Sequence, residues 1–469
     1  MTLSRRQFVL AGAATATCPR IAFSQPGSAE ESVVEHLIPA PGETELLGPG
    51  KATAVWAYNG AVPGPAFRLK LGQRVNTVLE NRLGRPTTVH WHGMRAPNGM
   101  DGVPALTQLP VSPGGRFHYA FEAKNPGTFW YHPHFQSAEQ LDRGLHGVIV
   151  VEDDRPPQVD RDLVWLLDDW RLDSEGQIVE DFGDLHDVSH QGRIGNTATL
   201  NGRVPETFEL MKGERIRLRL VNVANAWIFG LEFTGHSPRV IALDGHAVTP
   251  YVPQTGLVVI GPAQRVDLIL DATGSPGDRF EVVDRYYRNR SFKLLDLVYS
   301  ATPLRSEAPP LEPLSVPELP EPDLTRATRH EVTFAGGAMG GMRSARFRGE
   351  ETGIRQLARE GKVWAVNGVV ASRHDERALI QMRLGRSYLV DFINDTAFPH
   401  PVHLHGHPMK LLMNADREPA QPVWRDTLLI APRTKATVAM VADNPGKWML
   451  HCHIPEHQEA GMMAVVSVA

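Results

Sequence analysis

The 469-residue sequence predicts an all-β protein of three consecutive β-sandwich units. Two observations carry this: a layout that recurs three times at domain scale, and period-two alternation of apolar and polar residues in the segments that the repeats share. In the first unit, Asn59-Gly60-Ala61-Val62-Pro63 precedes Phe67-Arg68-Leu69-Lys70-Leu71-Gly72 and then Arg74-Val75-Asn76-Thr77-Val78-Leu79. In the second, Asn201-Gly202-Arg203-Val204-Pro205 precedes Phe208-Glu209-Leu210-Met211-Lys212-Gly213 and Arg215-Ile216-Arg217-Leu218-Arg219-Leu220. In the third, Val366-Asn367-Gly368-Val369 precedes Ile380-Gln381-Met382-Arg383-Leu384-Gly385 and Ser387-Tyr388-Leu389-Val390-Asp391-Phe392. Successive strand side chains face opposite sides, so alternation punctuated by Gly and Pro reads as half-buried strands of a sandwich.

The units end alike as well. Asn125-Pro126-Gly127 leads into His132-Pro133-His134, and Asn444-Pro445-Gly446 into His451-Cys452-His453, whereas the middle unit has Ser275-Pro276-Gly277 and no histidine pair after it. Seven prolines between residues 303 and 322 read as a stiff, extended connection. The expected organisation is a leader at 1–29, units at 30–155 and 156–302, a linker at 303–324 and a third unit at 325–469.

Composition narrows the function. With 42% hydrophobic and 22% charged residues and a net charge of -5, the chain is expected to be soluble and globular. No apolar run is long enough to span a bilayer. Without a long basic stripe, the electrostatic footprint of a nucleic-acid binder is missing. The N-terminus, Ser4-Arg5-Arg6-Gln7-Phe8-Val9-Leu10 followed by small residues to Thr17 and then Arg20, reads as a twin-arginine address for the export machinery, and a bacterial periplasm is the expected location. That route carries folded proteins, which suits a chain that acquires a cofactor before export. Removing residues 1–24 takes away three arginines and no acid, shifting the charge from -5 to -8. Of the two cysteines, Cys18 lies in the leader, so Cys452 is the only mature thiol and no internal disulfide can form.

Histidine is the informative residue. Twenty histidines scattered at random over 469 positions would give roughly 0.8 His-x-His pairs. There are five: His90/His92, His132/His134, His403/His405, His405/His407 and His451/His453. In a strand each pair presents two imidazoles on one face, and neutral imidazole suits copper, iron and zinc. Isolated histidines are more often ordinary core or surface residues, and His36, His118, His146, His186, His190, His236, His246, His330 and His374 are read that way. Cys452 sits between His451 and His453, so alternation sends its sulfur to the opposite face, and one strand serves two metal sites. With His400, His457 and Met462 it supplies two imidazoles, a thiolate and a thioether, the ligand set of a blue-copper electron-transfer centre. Met463 is read as core filler.

The segments His90-Trp91-His92-Gly93, His132-Pro133-His134, His400-Pro401-Val402-His403-Leu404-His405-Gly406-His407 and His451-Cys452-His453-Ile454-Pro455-Glu456-His457-Gln458-Glu459-Ala460-Gly461-Met462 resemble the four copper motifs of the three-domain multicopper oxidases, the laccase family. The resemblance implies three cupredoxin-like Greek-key domains and four copper ions: one type 1, one type 2 and a type 3 pair. It puts the type 1 ion on His400, Cys452, His457 and Met462, and the type 2 ion on His90 and His403. The type 3 pair falls to His92, His132, His134, His405, His451 and His453. His407 has no ligand role in that pattern. Asp101, in Gly99-Met100-Asp101-Gly102-Val103-Pro104, resembles the family's acid near the type 2 copper, against the plain reading of an Asp-Gly turn. Several bacterial relatives carry an acid at the position of Gln458; Glu459 and Glu456 are the alternatives for a second proton route.

The activity implied by the resemblance is one-electron oxidation of phenols or aromatic amines coupled to reduction of dioxygen to water by a monomer, at a low-to-middle potential because of the axial Met462. The alternatives are a metallo-oxidase acting on Cu(I) or Mn(II), and a copper-free structural scaffold of the same fold in cell division. Met339 and Met342, in a glycine-rich stretch, are either the remnant of a Met-rich insert or a flexible loop; residues 351–360 read as a short helix beside the substrate site.

Overall fold

The computed structural model describes residues 36–314, 319–372, 377–415, 417–421 and 423–469. The segment expected to be a leader, with Arg5, Arg6 and Cys18, lies outside the described residues, as does His374. The regular structure of the rest is almost all strand, in three sandwiches.

Each sandwich repeats one pairing scheme. The first strand of each repeat, Phe67–Leu69, Thr207–Leu210 and Ile380–Met382, pairs in parallel with a late strand of its unit, Gly147–Val151, Phe292–Tyr299 and Met463–Val468. The second, Arg74–Glu80, Arg215–Asn222 and Ser387–Asp395, pairs antiparallel with Arg116–Glu122, Arg265–Asp271 and Lys435–Val441 in the opposite sheet. The alternation read from sequence therefore lies on the correct strands, and their inward residues meet between the sheets. Val75, Leu79, Tyr119, Phe121, Phe129 and Ile149 fill the first core. Ile216, Leu218, Leu220, Leu268 and Leu297 fill the second, and Val390, Phe392, Val438, Trp448 and Leu450 the third.

Residues 351–360 differ from expectation. Only Ile354–Arg359 is helical; Glu350–Gly353 forms a strand against Ser344–Phe347, with buried Thr352 opposite Ala345, a position that suits a β-branched side chain. Met339 is exposed and Met342 partly buried in the preceding loop.

The strand Arg215–Asn222 turns its leucines into the second core and its arginines the other way, yet every residue is buried. The first unit covers that face. Arg217 binds Asp153 and, at 2.7 Å, Asp267; Arg219 binds Asp162 at 2.6 Å and donates to Thr128 Oγ1 at 3.0 Å. Thr128, in the strand Gly127–His132, donates in turn to Asp267 at 2.8 Å. Removing one partner from such a network leaves a charge buried without compensation. Arg217→Ala is expected to destabilise the protein by about 3–5 kcal/mol, read as a large fall in the thermal unfolding midpoint. Arg285→Ala, which breaks an ion pair with both side chains substantially exposed, should leave the midpoint nearly unchanged.

Candidate metal centres

Two antiparallel strand pairs carry the histidines. In the first unit His90 lies opposite His132 and His92 opposite Trp130; in the third, His403 lies opposite His451 and Val402 opposite Cys452. The junction between the units brings the two pairs face to face. Asn98 Nδ2 donates to Lys447 O at 2.6 Å, Asn444 Nδ2 donates to Ala96 O at 3.1 Å, and Arg95 pairs with Asp443. Gly446 makes the approach possible: its φ is +136° and a Cβ there would stand 2.4 Å from Asn98 Cγ.

Eight histidines converge at this junction, all buried or nearly so. Within it, His90, His92 and His132 form one group with potential ligand atoms within 4.8 Å of one another, His90, His403 and His405 a second, and His134, His405 and His451 a third. His453 Nε2 lies 3.3 Å from His132 Nε2. The backbone fixes which nitrogen each ring presents. Nδ1 of His90 donates to Asp101 O at 2.8 Å, that of His132 to Pro133 O at 3.0 Å, that of His403 to Asp426 O at 2.9 Å and that of His451 to Cys452 O at 2.8 Å. In these four rings Nε2 keeps its lone pair. His92 is turned round, with Nε2 on Thr427 Oγ1 at 3.0 Å.

Burial drives His92, His132, His405 and His453 well below the usual imidazole range, and brings His403 down to about 3, so these rings are neutral at physiological pH. Among the described residues, no hydrogen-bond partner reaches His90 Nε2, His403 Nε2, His92 Nδ1 or His453 Nδ1. Neutral imidazoles with inward, unsatisfied lone pairs are costly to bury, and they fit bound cations.

Asp101 is buried at the edge of the cluster, where its Oδ2 accepts from His405 Nδ1 at 2.9 Å while its carbonyl holds His90. The turn that places it requires Gly102, with φ +80°, because a Cβ would meet Val89 O at 1.8 Å. Burial raises the Asp101 carboxyl, with His90 opposing.

Three residues of this site went unrecognised in the sequence. Asp426 and Thr427 cradle His92 and His403, and Arg265 of the second unit holds Asp426 through two hydrogen bonds while also donating to Thr128 O of the first. Burial acts to raise Asp426, but the Arg265 guanidinium more than offsets it and the carboxyl stays below its ordinary range. Arg265 opens an ordinary alternating strand, so only the register could have marked it.

On the other face of the same strand, Cys452 Sγ lies 3.4 Å from His400 Nδ1 and 3.7 Å from His457 Nδ1, and the two Nδ1 atoms are 3.2 Å apart. Here the remote nitrogens are anchored: His400 Nε2 on Thr396 Oγ1 at 2.8 Å and His457 Nε2 on the His190 carbonyl at 2.9 Å. Burial pushes the Cys452 thiol far up, so its thiolate form calls for a cation. Met462 is fully buried in the same core and its carbonyl accepts Cys452 N–H at 3.1 Å. His407 stands apart, using Nδ1 on His405 O and Nε2 on Asn444 N–H, both at 3.3 Å.

The two candidate acids separate. Glu459 is exposed by surface area, yet its carboxylate is packed closely enough for burial to raise it; it accepts Ala138 N–H at 3.0 Å, and no hydrogen bond among the described residues ties it to the histidine cluster. Glu456 is buried; Asn225 donates to its Oε1 at 2.9 Å, and burial lifts it to about 7.

Family models described as multicopper oxidase match residues 43–156, 161–307 and 350–469. The chain is 31% identical to the multicopper oxidase MmcO of Mycobacterium tuberculosis, over 92% of this chain and 86% of that protein. It is 28% identical to Laccase-1 of Botryotinia fuckeliana, over 89% and 79%. Among solved structures, a multi-copper oxidase from Pseudomonas thermotolerans superposes with a TM-score of 0.81 at 34% identity, over 92% of this chain and 98% of that one.

The geometry leads to two expected outcomes. Arg265→Met removes the support of Asp426 and should weaken metal retention roughly 10–100-fold, read as copper per chain after dialysis against a graded chelator. In the metal-free protein, His403 and His457 both sit near 3 in the fold, below the unfolded value of about 6.5. The unfolded chain therefore binds more protons between these limits, and stability should fall as pH drops through that window. An unfolding midpoint that is flat from pH 7 to 4 would contradict this.

Proposed function

Because the chain belongs to the multicopper oxidase family, we propose that it takes single electrons from phenols or aromatic amines and passes four of them to dioxygen, which with four protons becomes two molecules of water. We assign it four copper ions: one at His400, Cys452, His457 and Met462, one at His90 and His403, and two shared by His92, His132, His134, His405, His451 and His453. The family pattern and the convergent, neutral donors support this assignment. Bound copper supplies one-electron chemistry at both places and the position at which oxygen is reduced.

The residues of the chain do the rest. Cys452 is joined to His451 and His453 by peptide backbone alone, so an electron arriving at the sulfur has a short covalent path to the imidazoles beyond. Keeping the donor side and the oxygen side on opposite faces of one strand lets bulky donors react without reaching oxygen. Asp101 holds His405 and His90 in register and, with its carboxyl raised by burial, can hold a proton beside the oxygen site. Of the two remaining acids, whose carboxyls burial raises alike, the more enclosed side chain of Glu456 favours it over Glu459 as the second proton source.

The twin-arginine pattern at Ser4 to Leu10 supports export, and we place the mature enzyme in a periplasm.

The observation that carries this reading is the position of Cys452, its sulfur against His400 and His457 while its neighbours join the other cluster. Copper-loaded Cys452→Ser is expected to lack blue colour and to lose essentially all oxygen uptake with a phenol, while retaining copper at the histidine cluster. Undiminished oxygen uptake in that variant would refute the reading.

A further inference from the structure

Away from the histidine junction, the seam between the first and second units buries more acid than base. The helix Ser137–Asp142 and the strand Gly147–Val151 border it from the first unit, and the strand Arg161–Trp170 from the second. Asp142, Asp168, Asp169 and His146 are buried there together. Two guanidinium groups reach the region, and both are committed: Arg193 donates to Asp142 Oδ2 at 2.8 Å and pairs with Asp181, while Arg171 pairs with Asp181 at 2.8 Å and Asp187 at 2.7 Å. Among the described residues, no lysine or arginine pairs with Asp168 or Asp169. Asp169 Oδ2 accepts Gly195 N–H, and no hydrogen-bond partner reaches its Oδ1. Burial raises the Asp142 carboxyl to about 6 against the pull of Arg193 and drives that of Asp169 well up; the Asp168 charge pushes both the same way.

His146 gives this surplus of acid a direction. It is 1% exposed, and among the described residues neither of its ring nitrogens has a hydrogen-bond partner. Asp168 Oδ1 accepts Asp169 N–H at 2.9 Å, and its Oδ2 stands 3.2 Å from His146 Nε2, close but off the line of a hydrogen bond. An imidazole buried in that condition is costly without a further partner. Two donors held at about 2.0–2.1 Å by one tetrahedral ion stand roughly 3.3 Å apart, so the pair has the spacing of ligands that share an ion. The two Nδ1 atoms facing Cys452 show the same spacing, 3.2 Å.

We propose that His146 and Asp168 hold a divalent cation of borderline softness, zinc(II), at this seam, with Asp142 and Asp169 as the further carboxylates around it. Imidazole combined with carboxylate favours such an ion over calcium, which takes oxygen alone, and over Cu(I), which prefers sulfur. One dication offsets the charge of the two acids that no guanidinium reaches. Zinc exchanges no electrons, so its effect is cohesion: it ties the end of the helix that follows His134 to a strand of the second unit. Any proton on the carboxyls is released to solvent as the ion binds.

Zinc(II) titrated into copper-loaded full-length enzyme, washed free of loosely held copper, tests this by calorimetry. One zinc ion is expected to bind beyond the coppers, and to raise the thermal unfolding midpoint. His146→Gln and Asp168→Asn should each weaken zinc by about tenfold or more, the loss that even an outer partner of a ligand causes, and zinc should then leave the midpoint nearly unmoved. Both variants keep the type 1 ligands, so their blue colour reports an intact fold. No zinc uptake by the unaltered enzyme would mean that the acids hold protons instead, and would overturn the proposal. Undiminished zinc affinity in either variant that keeps its colour would place the ion elsewhere and overturn it equally.

Discussion

A β-strand sends neighbouring side chains to opposite faces, and at residues 451–453 this rule puts two chemistries back to back. The sulfur of Cys452 enters the core of the third sandwich, where His400 and His457 meet it, while His451 and His453 turn toward the first unit. The two centres are thereby joined through a few backbone atoms. The remainder of the molecule keeps that strand straight, its two faces dry and its partners in register.

The second unit supplies none of the assigned ligands, yet it governs both faces. Through Arg265 it fixes Asp426, which holds His403 and approaches His92. Through its arginine-lined strand it is keyed to the first unit by a buried network of Arg217, Arg219, Asp267 and Thr128. Through the His190 carbonyl it sets the tautomer of His457. Each contact acts by orienting a group in another unit, so the second sandwich works as a jig on which the clustered histidines of its neighbours are held.

Much of this was legible in the residues. The recurring Asn-Gly turns and alternating runs located corresponding strands in all three units, because local period-two patterning survives folding unchanged. The His-x-His pairs and Cys452 were legible for the same reason: strand geometry translates spacing into facing. What stayed hidden depends on register between distant segments. Thr427 and Arg265 open unremarkable strands, Asp426 sits in the bend just before Thr427, and all three acquire their roles only when three sandwiches dock. The arginines of Arg215–Asn222 look like a solvent-facing set until a second domain covers them. Glu459 shows the converse. Its place in the motif offered an acid, whereas the last turn of Pro455–Glu459 carries it to the surface and leaves Glu456 inside.

The eight histidines of the junction come in equal shares from two units: four from residues 90–134 and four from residues 403–453. Neither half alone offers a complete set for all of the ions, so closing the gap at Gly446 and Asn98 is a precondition for tight metal capture. By linkage, each captured ion must favour the closed arrangement to the same extent that closure favours capture. Metal affinity and interdomain cohesion are thus a single equilibrium observed from two sides, and copper held at this junction would be as much mortar between the sandwiches as reagent.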